Sequence, residues 1–276
     1  MTRWSILTEE LDRWSAAGRN ATFWWRDDDA ADVTPPLERL LGLAVAKSVP
    51  LAIAVIPETA AQALADRLRA LPPGITVLQH GYSHRDHSGP SRVDGPKRKK
   101  TELTGDRPIE DVCRELREGR AKLRDAFGDR FRDVLVPPWN RIDSKVLEQL
   151  PALGFEGLST FGPLADQDSP SACAERLVQA NSTIDIIRWR PERAFLGEDA
   201  LLDQILSDLH RERAHSEVSA APLGLMTHHL VHDEACWRFV SNLLEVTLAH
   251  RAARWLTADE VFAGTQDTRV PRRRRA

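Results

Sequence analysis

Cysteine is scarce in this chain: Cys113, Cys173 and Cys236 are the only three in 276 residues, and they lie far apart. An odd number without paired spacing points to neither a disulfide framework nor a zinc knuckle, so each reads as a small buried apolar residue. Long hydrophobic runs are missing as well. No window has the length of a membrane span. The amphipathic start, residues 1–18, lacks both a continuous apolar stretch and a small-residue cleavage site, so it does not read as a signal peptide. A cytoplasmic location is the expectation. Charge is not of one sign: 38 Lys and Arg face 41 Asp and Glu, a net charge of -3 that argues against a dedicated nucleic-acid partner. The dense basic run at 272–275, after Pro271, reads as a solvated end, so residues 266–276 are expected to be a disordered tail. With no internal repeat and no low-complexity linker, residues 1–265 are read as one domain.

What is present is alternation. Strand-like runs at 21–28, 50–57, 75–81, 134–139, 155–160, 184–189 and 222–229 are separated by helical patterns, among them a long amphipathic one ending at Gly128. Such alternation predicts an α/β chain with a mostly parallel sheet of seven or eight strands, and that count favours a barrel. The polar stretch 82–107 is too long for an ordinary connection, and long loops are often functional.

In parallel α/β folds the reacting groups gather at the carboxyl ends of strands. Here the first strand ends in Asp27-Asp28-Asp29, the third in His80-Gly81-Tyr82-Ser83-His84, the fourth in Pro137-Pro138-Trp139-Asn140, and a late one in His228-His229. Three adjacent carboxylates repel one another unless a cation stands between them. His80 and His84, four apart, have a usable metal-ligand spacing and would share one side of a helical turn. On a strand, neighbours face opposite sides, so only one of His228 and His229 can face a site. An imidazole there suits acid catalysis, because it titrates near neutral pH. Carboxylates and imidazoles converging from four strand ends have the composition of a metal-assisted hydrolytic site.

The order of these motifs resembles the polysaccharide deacetylases, the NodB-like enzymes of carbohydrate esterase family 4, over roughly residues 22–229. The resemblance implies a distorted (β/α) barrel and one divalent metal, in the first place zinc. Aligned on its last two acids, the triplet makes Asp28 the catalytic base and Asp29 a metal ligand, with Asp27 and Asp28 as the alternative pair. His80 and His84 match the family's two histidine ligands, while Gly81 stands where a hydroxyl residue is usual. The Pro137-Pro138-Trp139 turn is similar to the family's third motif, but Val136 replaces the arginine that braces the catalytic acid. Arg26 and Arg141 are the candidates to replace it. Asp185 with Trp189 resembles a later motif. His228 looks like the general acid, with His229 the alternative.

What the resemblance implies about chemistry is removal of an acetyl group from an N-acetylated sugar or related carbohydrate. Tyr82, Pro138, Trp139, Trp189 and His229 would touch substrate, and an N–H near Tyr82 would hold the oxyanion. The basic run Lys97 to Lys100 would overhang the site and suit an anionic group. Two rivals are a hydrolase of a small non-sugar amide, such as a ureide or cyclic imide, and a non-catalytic carbohydrate-binding relative.

Overall fold

The computed structural model describes residues 2–89, 98–104, 107–162, 177–214 and 221–263. The basic tail, Lys97 and Cys173 lie outside them. Helix α1 (Arg3–Ala16) starts where the Thr2 side chain accepts the Ser5 N–H. Strand β1 (Ala21–Ala30) leads to α2 (Pro35–Lys47), which Thr34 caps and whose prolines fill positions that need no N–H donor. Then follow β2 (Leu51–Val55), α3 (Gln62–Arg69), β3 (Ile75–His80), α4 (Ile109–Phe127), β4 (Phe131–Val136) and α5 (Ser144–Leu147). Short strands β5 (Gly157–Leu158), β6 (Val178–Gln179), β7 (Ile184–Asp185), β8 (Ile187–Arg188) and β9 (Ala194–Phe195) precede α6 (Glu198–Ala214). The order closes with β10 (Leu223–Thr227), α7 (Glu234–Leu248), β11 (Ala253–Trp255) and α8 (Ala258–Phe262).

The main sheet runs β6-β5-β4-β3-β2-β1-β10-β7, all parallel, with β11 added alongside the start of β1. Its two ends are one stretch of chain. Residues 178–185 donate N–H groups to Glu156, Leu158 and Thr160 on one side, and Thr183 donates to Gly224 on the other. The sheet is therefore curled round into the distorted barrel that the alternation predicts. β8 and β9 form a separate antiparallel hairpin.

The strands are buried on both faces, which is why they read as nearly continuous apolar runs. The outer face, with Phe23, Trp25, Ile53, Val55, Val77 and Leu225, packs under the helices in the largest core cluster. The inner face carries Trp24, Ala52, Ala54, Leu78, Val134 and Val136. Burying each large side chain of this kind contributes about 1.5–3 kcal/mol.

Three local expectations shift for identifiable reasons. β4 stops at Val136, since Pro137 and Pro138 lack N–H donors. The pattern of residues 144–154 predicts a helix over that whole run, but α5 ends at Leu147, ahead of Pro151. The run 184–189 is two strands, because the Asp185 carboxylate turns back to accept the Ile187 N–H at 2.9 Å.

Candidate active site

The pleat of β1 sorts the aspartates. Phe23, Trp25 and Asp27 point outward, while Trp24, Arg26 and Asp28 point inward. Simple alternation would send Asp29 outward too. Instead the register with β2 slips between Asp27 and Ala30, and Asp29 adopts φ 72°. A bulge with a left-handed residue re-aims its carboxylate into the barrel mouth. Other non-glycine residues with left-handed φ also gather here, namely His84, Trp139 and Asn140. Strained backbone of this kind persists where the surroundings over-determine it, and it clusters at functional sites.

Asp29, His80 and His84 offer donor atoms that all lie within 4.8 Å of one another, the one such group among the described residues. Asp29 Oδ1 is 3.0 Å from His80 Nε2 and 3.2 Å from His84 Nε2. The His80 ring bonds through Nδ1 to the Val136 carbonyl at 2.9 Å, which orients the ring and aims Nε2 at Asp29. Burial alone would raise the Asp29 pKa, but hydrogen bonds from His80 and His84 hold it well below the usual carboxylate range. The donor set fits a divalent metal, and one carboxylate with two imidazoles suits zinc. The helical-turn geometry expected for His80 and His84 is absent. His80 ends a strand, and positive φ at Gly81 and His84 folds the chain back.

Beside this set lies Asp28, 1% exposed. Arg26 grips it with both arms, Nε to Oδ1 at 2.9 Å and Nη2 to Oδ2 at 3.0 Å. Arg26 is itself fully buried and also donates to Ser159 Oγ, the Thr160 carbonyl and Asn140 Oδ1. Of the two candidates for the missing brace, Arg26 occupies the place. Arg141 donates instead to the Lys100 carbonyl. Across the cavity, His228 Nε2 is 3.9 Å from Asp28 Oδ2, and His228 Nδ1 has no hydrogen-bond partner among the described residues. The Trp189 ring stands edge-on to His228 at 4.7 Å, and its indole N–H donates to Asp185 at 2.6 Å. Burial pushes the Asp185 carboxyl up, against the opposing pull of His228 and of those hydrogen bonds.

Glu102, in the long polar stretch 82–107, is fully buried under the histidine loop. Its carboxylate accepts the N–H groups of Tyr82, Ser83 and His84 and the Ser83 hydroxyl, at 2.7 to 3.3 Å. Gly81 is thereby explained. A Cβ there would stand 2.2 Å from Glu102 Oε2 and 2.6 Å from Pro138, at φ 55°. The hydroxyl usual in the resembled family has no room, and Glu102 supplies the hydrogen bonding instead. Since Glu102 already takes the loop N–H groups, the oxyanion donor expected near Tyr82 is not available there.

These groups form the floor of a cavity of about 770 Å³. Asp28, Asp29, His80, His84, Trp139, Trp189 and His228 all line it, so seven of the sequence-derived residues meet in one place. Three do not line it. Tyr82 turns its phenol toward Glu58, Glu115 and Glu118, and burial with those charges raises its pKa. Pro138 is buried behind the wall against Gly81. His229, expected to touch substrate, faces outward at 1% exposure with Nδ1 2.5 Å from Asp27 Oδ1. The pleat and the close Asp27 partner both hold it there. Of the basic run, Arg98 and Lys100 line the cavity, and the Lys100 ammonium lies 5.8 Å over Trp139. Sequence reasoning missed the roles of Asp27 and Glu102 and the contribution of Arg190 and Arg193 on the β8–β9 turn. Only the reading of long loops as functional pointed toward Glu102.

Comparison with known structures gives the same architecture along most of the chain. A protein from Mycobacterium smegmatis described as a polysaccharide deacetylase aligns with a TM-score of 0.62 at 15% identity, covering 89% of this chain and 90% of that one. A family 4 carbohydrate esterase from Streptomyces lividans, in complex with acetate, aligns at 0.52 and 12%, covering 85% and 91%. A mutant of a family 4 pseudoenzyme with restored enzymatic activity aligns at 0.53 and 12%, covering 88% and 68%. No family model and no curated protein matches the sequence. At these identities the likeness is one of fold: the chain has the NodB-like barrel of the family 4 deacetylases and acetyl xylan esterases.

Proposed function

We propose that the protein is a divalent-metal-dependent hydrolase that removes an acetyl group from an N-acetylated carbohydrate. The observation that carries this reading is the placement of Asp28 and His228 on either side of one cavity floor that also holds Asp29, His80 and His84. A divalent metal, with zinc the best match to the donor set, would polarise the acyl carbonyl and make a water more acidic. Asp28, oriented by Arg26, takes the proton of the attacking water. The new carbon–oxygen bond forms, the carbon–nitrogen bond breaks, and His228 Nε2 delivers a proton to the departing amine. Trp139 and Trp189 offer ring faces for a sugar.

An arginine missing at Val136 is what a non-catalytic relative would show. Arg26 fills that gap, which supports the catalytic reading instead. The test is acetate release. Protein reconstituted with zinc should free acetate from N-acetylated sugars, while Asp28→Asn, with metal still bound, should not. Stoichiometric metal without acetate release from any acetylated sugar or amide would overturn it.

A further inference from the structure

The cavity carries opposite charge at its two levels. Its floor holds Asp28, Asp29 and Asp185. At its mouth, Lys100, Arg141, Arg190 and Arg193 face the same space from three separate segments: the stretch after β3, the turn after β4 and the β8–β9 turn. Arg98 joins them, its guanidinium donating to the Ser88 carbonyl. A single acid lies among these cations, Asp86, and its carboxylate already accepts the N–H groups of Ser88 and Thr101.

Elsewhere arginine is routinely matched by an acid, as Arg39 is by Glu234, Arg67 by Glu38, Arg107 by Glu115 and Arg132 by Asp259. Among the described residues Lys100, Arg141, Arg190 and Arg193 have no such match. Gathering unmatched cations from three segments around one concave opening raises the local positive potential, and an anion entering there relieves it. The floor acids repel the same anion, so the two levels together dictate which end of a ligand enters first. The cations also stand against aromatic faces, with Lys100 over Trp139 and Arg193 5.6 Å over Trp189. A sugar ring at those faces would present its charged substituent to the rim.

We propose that the substrate is an acylated sugar bearing an anionic group, a phosphate or a carboxylate, held at the rim by Lys100, Arg141, Arg190 and Arg193 while the acyl group reaches the floor. The inference rests on the deacetylase reading above. It narrows the substrate to a charged, soluble or chain-linked sugar derivative and sets neutral chitin-like oligomers aside.

Calorimetric binding to zinc-loaded Asp28→Asn protein, which does not consume the ligand, separates the two readings from acetate release by the wild type. The probes are N-acetylglucosamine 1-phosphate, N-acetylmuramic acid and the neutral N,N′-diacetylchitobiose. At low ionic strength at least one charged probe should bind roughly 10- to 100-fold more tightly than the neutral one, the worth of a charge-assisted hydrogen bond or two. That ratio should shrink as salt is added. Adding Arg190→Gln and Arg193→Gln should bring it close to one. Preference for the first or the second probe assigns phosphate or carboxylate. Equal binding of charged and neutral probes, or no binding of either charged probe, overturns the inference. Acetate release from the neutral probe would then leave the deacetylase reading standing, whereas charge-selective binding without release from any probe upholds the rim and sinks that reading.

Discussion

Asp27 meets His229 and Asp28 approaches His228 at the ends of the same two strands, just past the last residue of β10, yet the first contact is 2.5 Å and the second 3.9 Å. The outward pair is closed. Asp27 Oδ2 also accepts the Thr227 hydroxyl at 2.6 Å and the His229 N–H at 3.1 Å, and Thr227 in turn accepts the Trp25 indole N–H. The inward pair is open. Asp28 is held from behind by Arg26, while His228 keeps a gap in front of it. One step along a pleated strand thus separates a clamp that spends its hydrogen-bonding capacity on the fold from a pair that keeps its capacity for a ligand.

Four substitutions break or sharpen that contrast. The largest effect belongs to the inward acid. Asp28→Asn should lower kcat by roughly 10²–10⁴-fold, the usual worth of a general base. Elemental analysis should still find one metal, because the carboxylate that stands with His80 and His84 is that of Asp29. Loss of the metal in this variant would show that the register had been read one residue wrong.

The outward acid should act on stability. Asp27→Ala leaves the His229 imidazole and the Thr227 hydroxyl buried without their acceptor. Urea denaturation should show a loss of about 3–5 kcal/mol, typical for one partner removed from a buried pair. If the variant instead stays as stable as the wild type and loses turnover, the two pairs have their roles reversed.

A third buried carboxylate, Glu102, holds the loop that carries His84. Glu102→Gln keeps the shape but turns one acceptor oxygen into a donor facing N–H groups. Competition with a chelator should show metal affinity about 10- to 100-fold weaker, as for other groups that orient a ligand. Unaltered affinity would mean that the loop holds its shape without Glu102.

The smallest effect calibrates the others from far away. Glu10 is buried between Arg213, at 2.6 Å, and Arg13, at 3.0 Å, where α1 meets α6. Burial alone would raise its pKa, but the two guanidinium groups lower it. A depressed carboxyl stabilises the fold above its unfolded value, about 4.3, and that contribution is lost as pH falls through the lowered folded value. Its partners do not titrate in the accessible range, so no corresponding loss arises on the alkaline side. Melting curves of Glu10→Gln should therefore fall less steeply than wild type below about pH 4. Parallel curves would indicate that the pair is as well solvated in the unfolded chain.

The chemistry of the site was legible in the sequence because it stands at strand ends. Asp28, Asp29, His80 and His228 each close an apolar run, His84 follows four residues after His80, and alternation along the strand already required His228 and His229 to face opposite ways. Alternation could not choose between the aspartate pairs, since that choice turns on the bulge that re-aims Asp29, and a bulge is set by pairing with β2 rather than by local sequence. Arg26 could be named only as one of two candidates, because its grip on Asp28 depends on both residues sharing the inner face. Glu102 was hidden for a different reason. It lies some 18 residues beyond His84 in a polar stretch, and only the folding back of that stretch brings it under Gly81. The barrel was legible from the strand–helix rhythm, but β6 to β9 are two residues each and too short to leave a periodic signal.

The closing stretch 178–185 divides the molecule mechanically. The strands that carry Asp28, Asp29 and His80 are ten and six residues long and zipped to neighbours along much of their length, whereas the closure rests on two-residue ladders. Local opening is cheapest where fewest backbone bonds must part. The jaw that bears Asp185, Trp189, Arg190 and Arg193 hangs from that thin seam, while the anvil that bears Asp28, Asp29 and His80 is anchored in the thick of the sheet. Such a vice can widen or narrow its mouth without disturbing the alignment of the groups beneath it.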